Sequence, residues 1–269
     1  MDIAENVAIV RSRIAEAALA AGRRPEDIRL VAATKMNDAA RVQQAIKAGV
    51  EICGENRVQE MLEKNAQAAY AGARLHFIGH LQKNKVKQVV GTAALIESVD
   101  SEELMRLIDR CAASKGICQD ILLEVNIGGE AAKSGFRPEE IPAALAAAAQ
   151  FDHIMVRGLM AIPPKCSRAE ENIPYFCSMQ KLFVDNGEKK YDNVHMDFMS
   201  MGMSADYTAA IACGSNMVRV GTAIFGARNY GPINSNNSGG SDGTLSCSKL
   251  SCHSYSPVTM PIASMVRLE

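Results

Sequence analysis

The chain has no tryptophan, and aromatic side chains make up only 5% of its 269 residues. So thin an aromatic supply argues against a base-stacking platform for single-stranded nucleic acid. With 29 basic and 30 acidic side chains the net charge is −1, so no global positive field favours a polyanion. No apolar run approaches the roughly 20 residues that span a bilayer. The eight cysteines include no Cys-x-x-Cys pair. Several fall inside expected strands and helices, which fits reduced thiols in a cytoplasmic setting rather than a disulfide framework. Neither a Gly-x-Gly-x-x-Gly turn nor a Gly-x-x-x-x-Gly-Lys-Ser/Thr loop occurs, so the usual dinucleotide and nucleoside triphosphate signatures are missing. The acidic, helix-patterned start at 1–5 is unlike a secretory or organellar leader.

What is present is an ordinary globular composition, 48% hydrophobic and 22% charged. Ile3, Val7, Val10 and Ile14 form one stripe of an N-terminal helix that Gly22 stops. Strand-like runs follow at 28–33, 50–53, 75–79, 94–99, 121–126, 155–160, 195–199 and 217–220. Helical patterns separate them at 38–48, 56–69, 82–90, 101–115, 138–150, 169–186 and 204–213. In the 101–115 segment Leu104, Leu107, Ile108 and Cys111 share a face, with Ser101 at the start and Glu102 and Glu103 in the first turn. Such alternation predicts a parallel sheet, either doubly wound or closed as a (β/α)8 barrel. The missing Gly-rich nucleotide turn favours the barrel. Residues 231–250 are rich in Ser, Gly and Asn, a composition that cannot bury a core. We therefore expect a barrel domain over 1–230 and a disordered tail over 231–269; the short, mildly apolar stretch 257–268 decides nothing.

In a barrel the functional residues gather where strands end. The apolar run Leu30 to Ala33 ends in Thr34 and Lys35. A lysine emerging from a buried strand loses hydration, which favours the neutral amine that attacks a carbonyl; a plain surface lysine past a strand end is the alternative. The second strand leads to Gly54, Glu55, Asn56 and Arg57, the third to Gly79, His80 and Gln82, and the fifth to Asn126. Asn56 reads equally as a helix cap or a ligand contact, and His80 and Gln82 read as caps or supports. Ser200, Gly202 and Ser204 follow the seventh strand, and Gly221 and Thr222 follow the eighth. Small residues there suit a phosphate, although a tight turn with a helix cap explains Gly221 and Thr222 as well. Arg219 lies on the otherwise apolar strand Met217 to Val220, where a guanidinium needs a partner because it cannot deprotonate. The Lys/Asn/Gln-rich stretch 82–88 reads as a solvated helix face.

Longer motifs carry a resemblance. LVAATK (30–35), GENRVQE (54–60), HFIGHLQKNKVK (76–87), LLEVNIGGE (122–130), KSGF (133–136), RGLMAIPP (157–164) and SMGMSADYTAAIACGSNMVRVGTAIFGARNY (200–230) are similar to the pyridoxal phosphate homeostasis proteins. Those are single-barrel, fold type III binders of pyridoxal 5′-phosphate (PLP), akin to the alanine racemase N-terminal domain. The resemblance covers about residues 1–230 and implies Lys35 as the Schiff-base lysine and Asn56 beside the cofactor. It further implies Ser200, Ser204, Gly221 and Thr222 around the phosphate and Arg219 facing the pyridine nitrogen. Members commonly have Thr-Lys-Pro where this chain has Met36, Asn37 and Asp38, so a second lysine beside Lys35 is missing; Ala132 is a milder departure. The implied function is intracellular PLP buffering or delivery without robust turnover, with no metal. Apo forms of PLP-dependent enzymes are candidate recipients, and a monomer without nucleic-acid or membrane partners is expected. A PLP-dependent racemase is the alternative. Barrel-type racemases share the arginine but add a second domain and a partner-subunit tyrosine, and the 39 residues after Tyr230 are expected to leave no room for one. An aldolase using Lys35 with a phosphosugar is a third reading.

Overall fold

The computed structural model describes residues 2–187 and 191–226. An N-terminal helix α1 (Ile3–Ala20) precedes eight parallel strands: β1 (Arg29–Ala33), β2 (Ile52–Glu55), β3 (Arg74–Phe77), β4 (Leu95–Val99), β5 (Gln119–Val125), β6 (Ile154–Ala161), β7 (Val194–Met203) and β8 (Met217–Val220). They pair in chain order, and β8 returns to β1, with Val31 opposite Arg219, to close the barrel. The helices between them are α2 (Ala39–Lys47), α3 (Val58–Ala66), α4 (Val86–Val89), α5 (Glu102–Ser114), α6 (Ile141–Ala148), α7 (Ile173–Gly187) and α8 (Tyr207–Ala212), with α9 (Thr222–Phe225) after β8. The expected (β/α)8 barrel with an extra N-terminal helix is therefore the observed fold. Residues 1–229 group into one compact unit. The expected tail, 231–269, lies outside the described residues.

Local chemistry explains the boundaries. Asp2 caps α1 in a capping box with Glu5, and Gly22 leaves the helix with φ 68°. Ser101 caps α5 and accepts from the Leu104 N–H. Second-strand pairing begins two residues later than the apolar run predicts, because Gly49 turns at φ 97° just before Val50. That shift puts Glu55 inside β2 rather than beyond it. The helical segments from 82, 138 and 169 each open with a 3-10 turn, and the one from 204 starts only at Tyr207, because β7 extends to Met203. The short α9 was not foreseen.

Strand alternation sorts side chains into two cores. Leu30, Ala32, Leu75, Phe77, Ile96, Val218 and Val220 face outward into the layer packed by the helices. Val31, Ala33, Ile52, Ile78, Leu95, Leu122, Met160 and Met217 fill the barrel interior. Glu97 and Arg219 follow Leu95 and Met217 on the inward parity and His76 shares the parity of Ile78, so a buried polar layer joins the apolar filling. Between β6 and β7 the register shifts at Gly158, whose φ is 139°. A methyl there would lie 2.0 Å from the Phe198 carbonyl oxygen. Gly158→Ala is expected to destabilise the barrel by about 3 kcal/mol or more, combining a forbidden φ with a backbone clash. A urea midpoint within error of the wild type would remove Gly158 from the constraints on the closure.

Candidate functional site

At the C-terminal end of the barrel a cavity of about 560 Å³ is lined by Lys35 from the loop after β1, by Met203 and Ser204 after β7, by Arg219 of β8, and by Gly221 and Thr222 of the β8–α9 turn. Five of the seven residues picked from sequence thus line one cavity. The juxtaposition follows from closure: Gly221 packs on Ala33, and a methyl at Gly221 would come 3.4 Å from the Ala33 Cβ and carbonyl oxygen. The loop that leaves Ala33 therefore runs beside the turn that leaves β8.

Backbone contacts fix the chain on both sides of Lys35. The Thr34 N–H donates to the Gly54 carbonyl at 2.9 Å. The Thr34 carbonyl accepts from Lys64 Nζ at 2.7 Å, the Lys35 carbonyl accepts from Asn37 Nδ2 at 3.0 Å, and the Met36 N–H donates to Glu60. Met36 itself takes the left-handed φ of 60°, unusual for a residue with a Cβ. Behind this loop lies a buried charge cluster. Glu55 Oε1 accepts from Lys64 Nζ at 2.6 Å, the Thr34 hydroxyl at 2.6 Å and the Tyr70 hydroxyl at 3.1 Å. Lys64 also pairs with Glu60 at 2.7 Å. Burial pushes the Glu55 carboxyl above its ordinary range, with Lys64 and Thr34 pulling the other way. Lys35 is half-buried above this cluster.

On the opposite wall the Ser204 hydroxyl accepts from the Gly221 N–H at 3.1 Å and more distantly from Ala223 at 3.5 Å. The set of Ser204 Oγ, the Thr222 hydroxyl and the amides of the β8–α9 turn is a donor-rich cradle of the kind an anion selects. Arg41 joins the lining, held by Asn37 Oδ1 at 3.0 Å and by the Phe225 carbonyl. Asp38 beside it caps α2 through the Arg41 N–H at 2.8 Å.

Two residues picked from sequence stand off the cavity wall. Ser200 is fully buried inside the barrel, accepting from Arg219 and donating to Glu97 Oε2 at 2.7 Å. Asn56 follows β2 against the Gly79 backbone, where a methyl on Gly79 would meet the Asn56 carbonyl oxygen at 2.2 Å. Its Oδ1 is buried and has no hydrogen-bond partner among the described residues. Such an orphaned acceptor costs about 1–3 kcal/mol, which a ligand donor could recover. Asn126 and His80 serve the neighbouring loop: Asn126 Nδ2 donates to the Glu130 carbonyl at 2.9 Å, and His80 Nδ1 lies 3.2 Å from Asp100 and 3.3 Å from the Ser134 hydroxyl. Gln82 precedes the 3-10 turn without capping it through its side chain.

Glu97 and His76 are the residues that the sequence reading passed over. The Glu97 carboxylate lies 3.9 Å from the Arg219 guanidinium and accepts from His76 Nδ1 at 2.7 Å. Arg219 also donates to the Ala161 carbonyl at 2.9 Å. Burial lowers the Arg219 pKa, while Glu97, Glu124 and Asp206 oppose the shift. Burial alone would raise Glu97, but His76, Arg219 and Ser200 together hold it below the usual carboxylate range. A carboxyl depressed in the folded state contributes stability that is present above its unfolded value and is lost as pH falls through the folded one. Stability should therefore decline in acid as Glu97 protonates. Glu97→Gln should cost about 3–5 kcal/mol at neutral pH, because it leaves Arg219 buried without a counter-charge. It should also flatten the acid limb of urea midpoint against pH; an unchanged limb would mean that Glu97 does not carry the acid sensitivity.

Among the described residues no cluster of three or more His, Cys, Asp or Glu could hold a metal ion, and no helix is long and apolar enough to cross a membrane. The alanine racemase N-terminal domain model matches residues 3–229. A pyridoxal phosphate homeostasis protein from Pseudomonas aeruginosa is 41% identical over 85% of this chain and 97% of its own length. One from Aquifex aeolicus is 38% identical over 86% of this chain and all of its own. Among solved structures, PipY from Synechococcus elongatus with PLP bound superposes with a TM-score of 0.73 at 31% identity, covering 84% of this chain and all of PipY. Alanine racemase from Clostridium difficile shares the fold at 16% identity, with a TM-score of 0.61 over 82% of this chain and 56% of the racemase. The chain belongs to the pyridoxal phosphate homeostasis protein family, built on the alanine racemase N-terminal-domain barrel.

Proposed function

We propose that this protein binds PLP through Lys35 and acts as a cytoplasmic, monomeric carrier that buffers the cofactor or delivers it to apo-enzymes, without robust turnover of its own. The observation that carries the reading is a single cavity with an amine, a buried guanidinium and an anion cradle on its walls. Those groups fit the cofactor in kind: an amine for an aldehyde, hydroxyl and amide donors for a phosphate, a fixed cation for an aromatic nitrogen. The family supports the same ligand, since PipY was solved with PLP bound. When bound, PLP supplies an electrophilic aldehyde carbon and a pyridine ring able to withdraw electrons.

Each protein group then has a definable task. Lys35 offers the amine that bonds to the aldehyde, and the contacts at Thr34, Asn37 and Glu60 keep its backbone from drifting. Ser204, Gly221 and Thr222 take the phosphate. Arg219 is a donor with no acceptor to offer, so it would leave a facing ring nitrogen without a proton. An unprotonated ring is a weak electron sink, which favours custody of the aldehyde over carbanion chemistry. Ser200 and Glu97 act through Arg219, fixing where its charge lies. Asn56, off the cavity wall, keeps a buried Oδ1 without a hydrogen-bond partner among the described residues.

Purified protein mixed with PLP should show visible absorbance that hydroxylamine abolishes, and borohydride should fix the cofactor to the Lys35 peptide. Lys35→Ala should lose both signals, and persistence of either would defeat the assignment. Turnover of a free D- or L-amino acid that Lys35→Ala abolishes would move the protein to the racemase class. Ser204→Ala should weaken PLP binding ~10-fold or more, the loss of one charge-assisted hydrogen bond, while phosphate-free pyridoxal binds as before. Equal losses for both ligands would place the phosphate elsewhere.

A further inference from the structure

One pair of side chains outside the cavity has chemistry that the proposed function does not use. Cys177 lies in α7 and is exposed; Cys213 caps the C-terminus of α8 and is half-buried. Their sulfurs are 3.6 Å apart, although 36 positions separate them in the chain. Packing explains the meeting. Cys177 and Gln180 stand three apart on one face of α7. Gly214 follows Cys213 with φ 98°, and a methyl there would fall 3.0 Å from Gln180 Cγ and 3.2 Å from Met199 Cε. The bare turn at 213–214 lets α7 press against the end of α8, and the same face brings Cys177 onto Cys213.

We propose that Cys177 and Cys213 form an oxidant-sensitive thiol pair that closes to an intramolecular disulfide under a hydroperoxide. A disulfide bond is about 2.05 Å long, so the two sulfurs need to approach by roughly 1.5 Å, within reach of side-chain rotation. The balance is simple. The Cys177 thiolate attacks one peroxide oxygen; the sulfur–oxygen bond forms, the oxygen–oxygen bond breaks, and water or an alcohol leaves. The Cys213 sulfur then attacks the oxidised Cys177 sulfur; the disulfide forms, the sulfur–oxygen bond breaks, and water leaves with the Cys213 proton. Two thiols lose two hydrogens, and one hydroperoxide is reduced. Burial and the neighbouring Cys177 thiol push Cys213 up to about 12. Exposed Cys177 is thus the sulfur that meets the oxidant, and Cys213 is the one that resolves it.

The cross-link would tie α7 to the turn that feeds β8. Ser215, two residues on, lies within 3.1 Å of the Met199, Met201 and Met217 carbonyls and so joins β7 to β8. Those strands lead to Ser204 and carry Arg219. Closing a loop of this length restricts the unfolded chain, so the oxidised protein should be the more stable form.

The test uses the full chain, fully reduced and then treated with one equivalent of hydrogen peroxide, quenched with N-ethylmaleimide and digested with trypsin. Lys181 lies between the two cysteines, so cleavage separates them unless they are bonded. The expected result is a peptide linking Cys177 to Cys213 and a melting temperature several degrees above that of the dithiothreitol-treated sample. Cys177→Ser, a change at an exposed site, should remove both effects. Two outcomes would overturn the proposal: both thiols alkylated while another cysteine is oxidised, or Cys177 carried to a sulfinic acid with Cys213 still free.

Discussion

The Arg219 guanidinium, 4% exposed inside a closed barrel, cannot shed its proton and is largely stripped of water. Everything around it answers to that constraint. Glu97 brings the counter-charge, His76 fixes the carboxylate from behind, Ser200 bridges acid and base, and the Ala161 carbonyl takes a further donor. These groups come from strands β3, β4, β6, β7 and β8, so the charge is balanced only when the barrel is closed. A buried ion pair of this kind is a poor source of net stability. Its value lies in position: it holds one fixed positive charge at the floor of the cavity.

The cavity's other wall shows the same logic with the signs rearranged. Lys64 reaches from α3 to neutralise Glu55 and Glu60 while its third donor takes the Thr34 carbonyl, one residue before Lys35. Met36, one residue after, is held in a left-handed conformation by its own N–H bond to Glu60. Lys35 is therefore mounted on backbone that is clamped on both sides. Backbone fixed before a ligand arrives loses little order on binding, so the clamps at Thr34 and Met36 pre-organise this wall of the cavity.

The fold was legible because its signals are periodic. Eight apolar runs with helical patterns between them left few topologies, and strand ends such as β8 matched to the residue. Arg219 stood out for one reason, a permanent charge on an apolar strand. The identical signal is present in Leu95 to Val99, where Glu97 interrupts an apolar strand on the inward parity, and pairing it with Arg219 was open to the same argument. Glu55 was harder. Its burial depends on a strand that begins two residues late, a consequence of the turn at Gly49 that apolar patterning does not register. The place of Ser200 was illegible for a different reason. Parity along β7 is broken by register shifts against both neighbours, so counting residues cannot tell an inward serine from one at the rim.

Those irregularities also account for the division of labour between the two serines. Pairing of β7 to β8 runs from Ser200 opposite Met217 to Met203 opposite Arg219, three residues on one strand against two on the other. The extra residue bends β7 so that Ser200 stays within the barrel beside Arg219, whereas Ser204 emerges over the β8–α9 turn. A regular strand would put positions 200 and 204 on the same side, competing for one task. The bulge separates them, giving one hydroxyl to the charge network and the other to the β8–α9 turn.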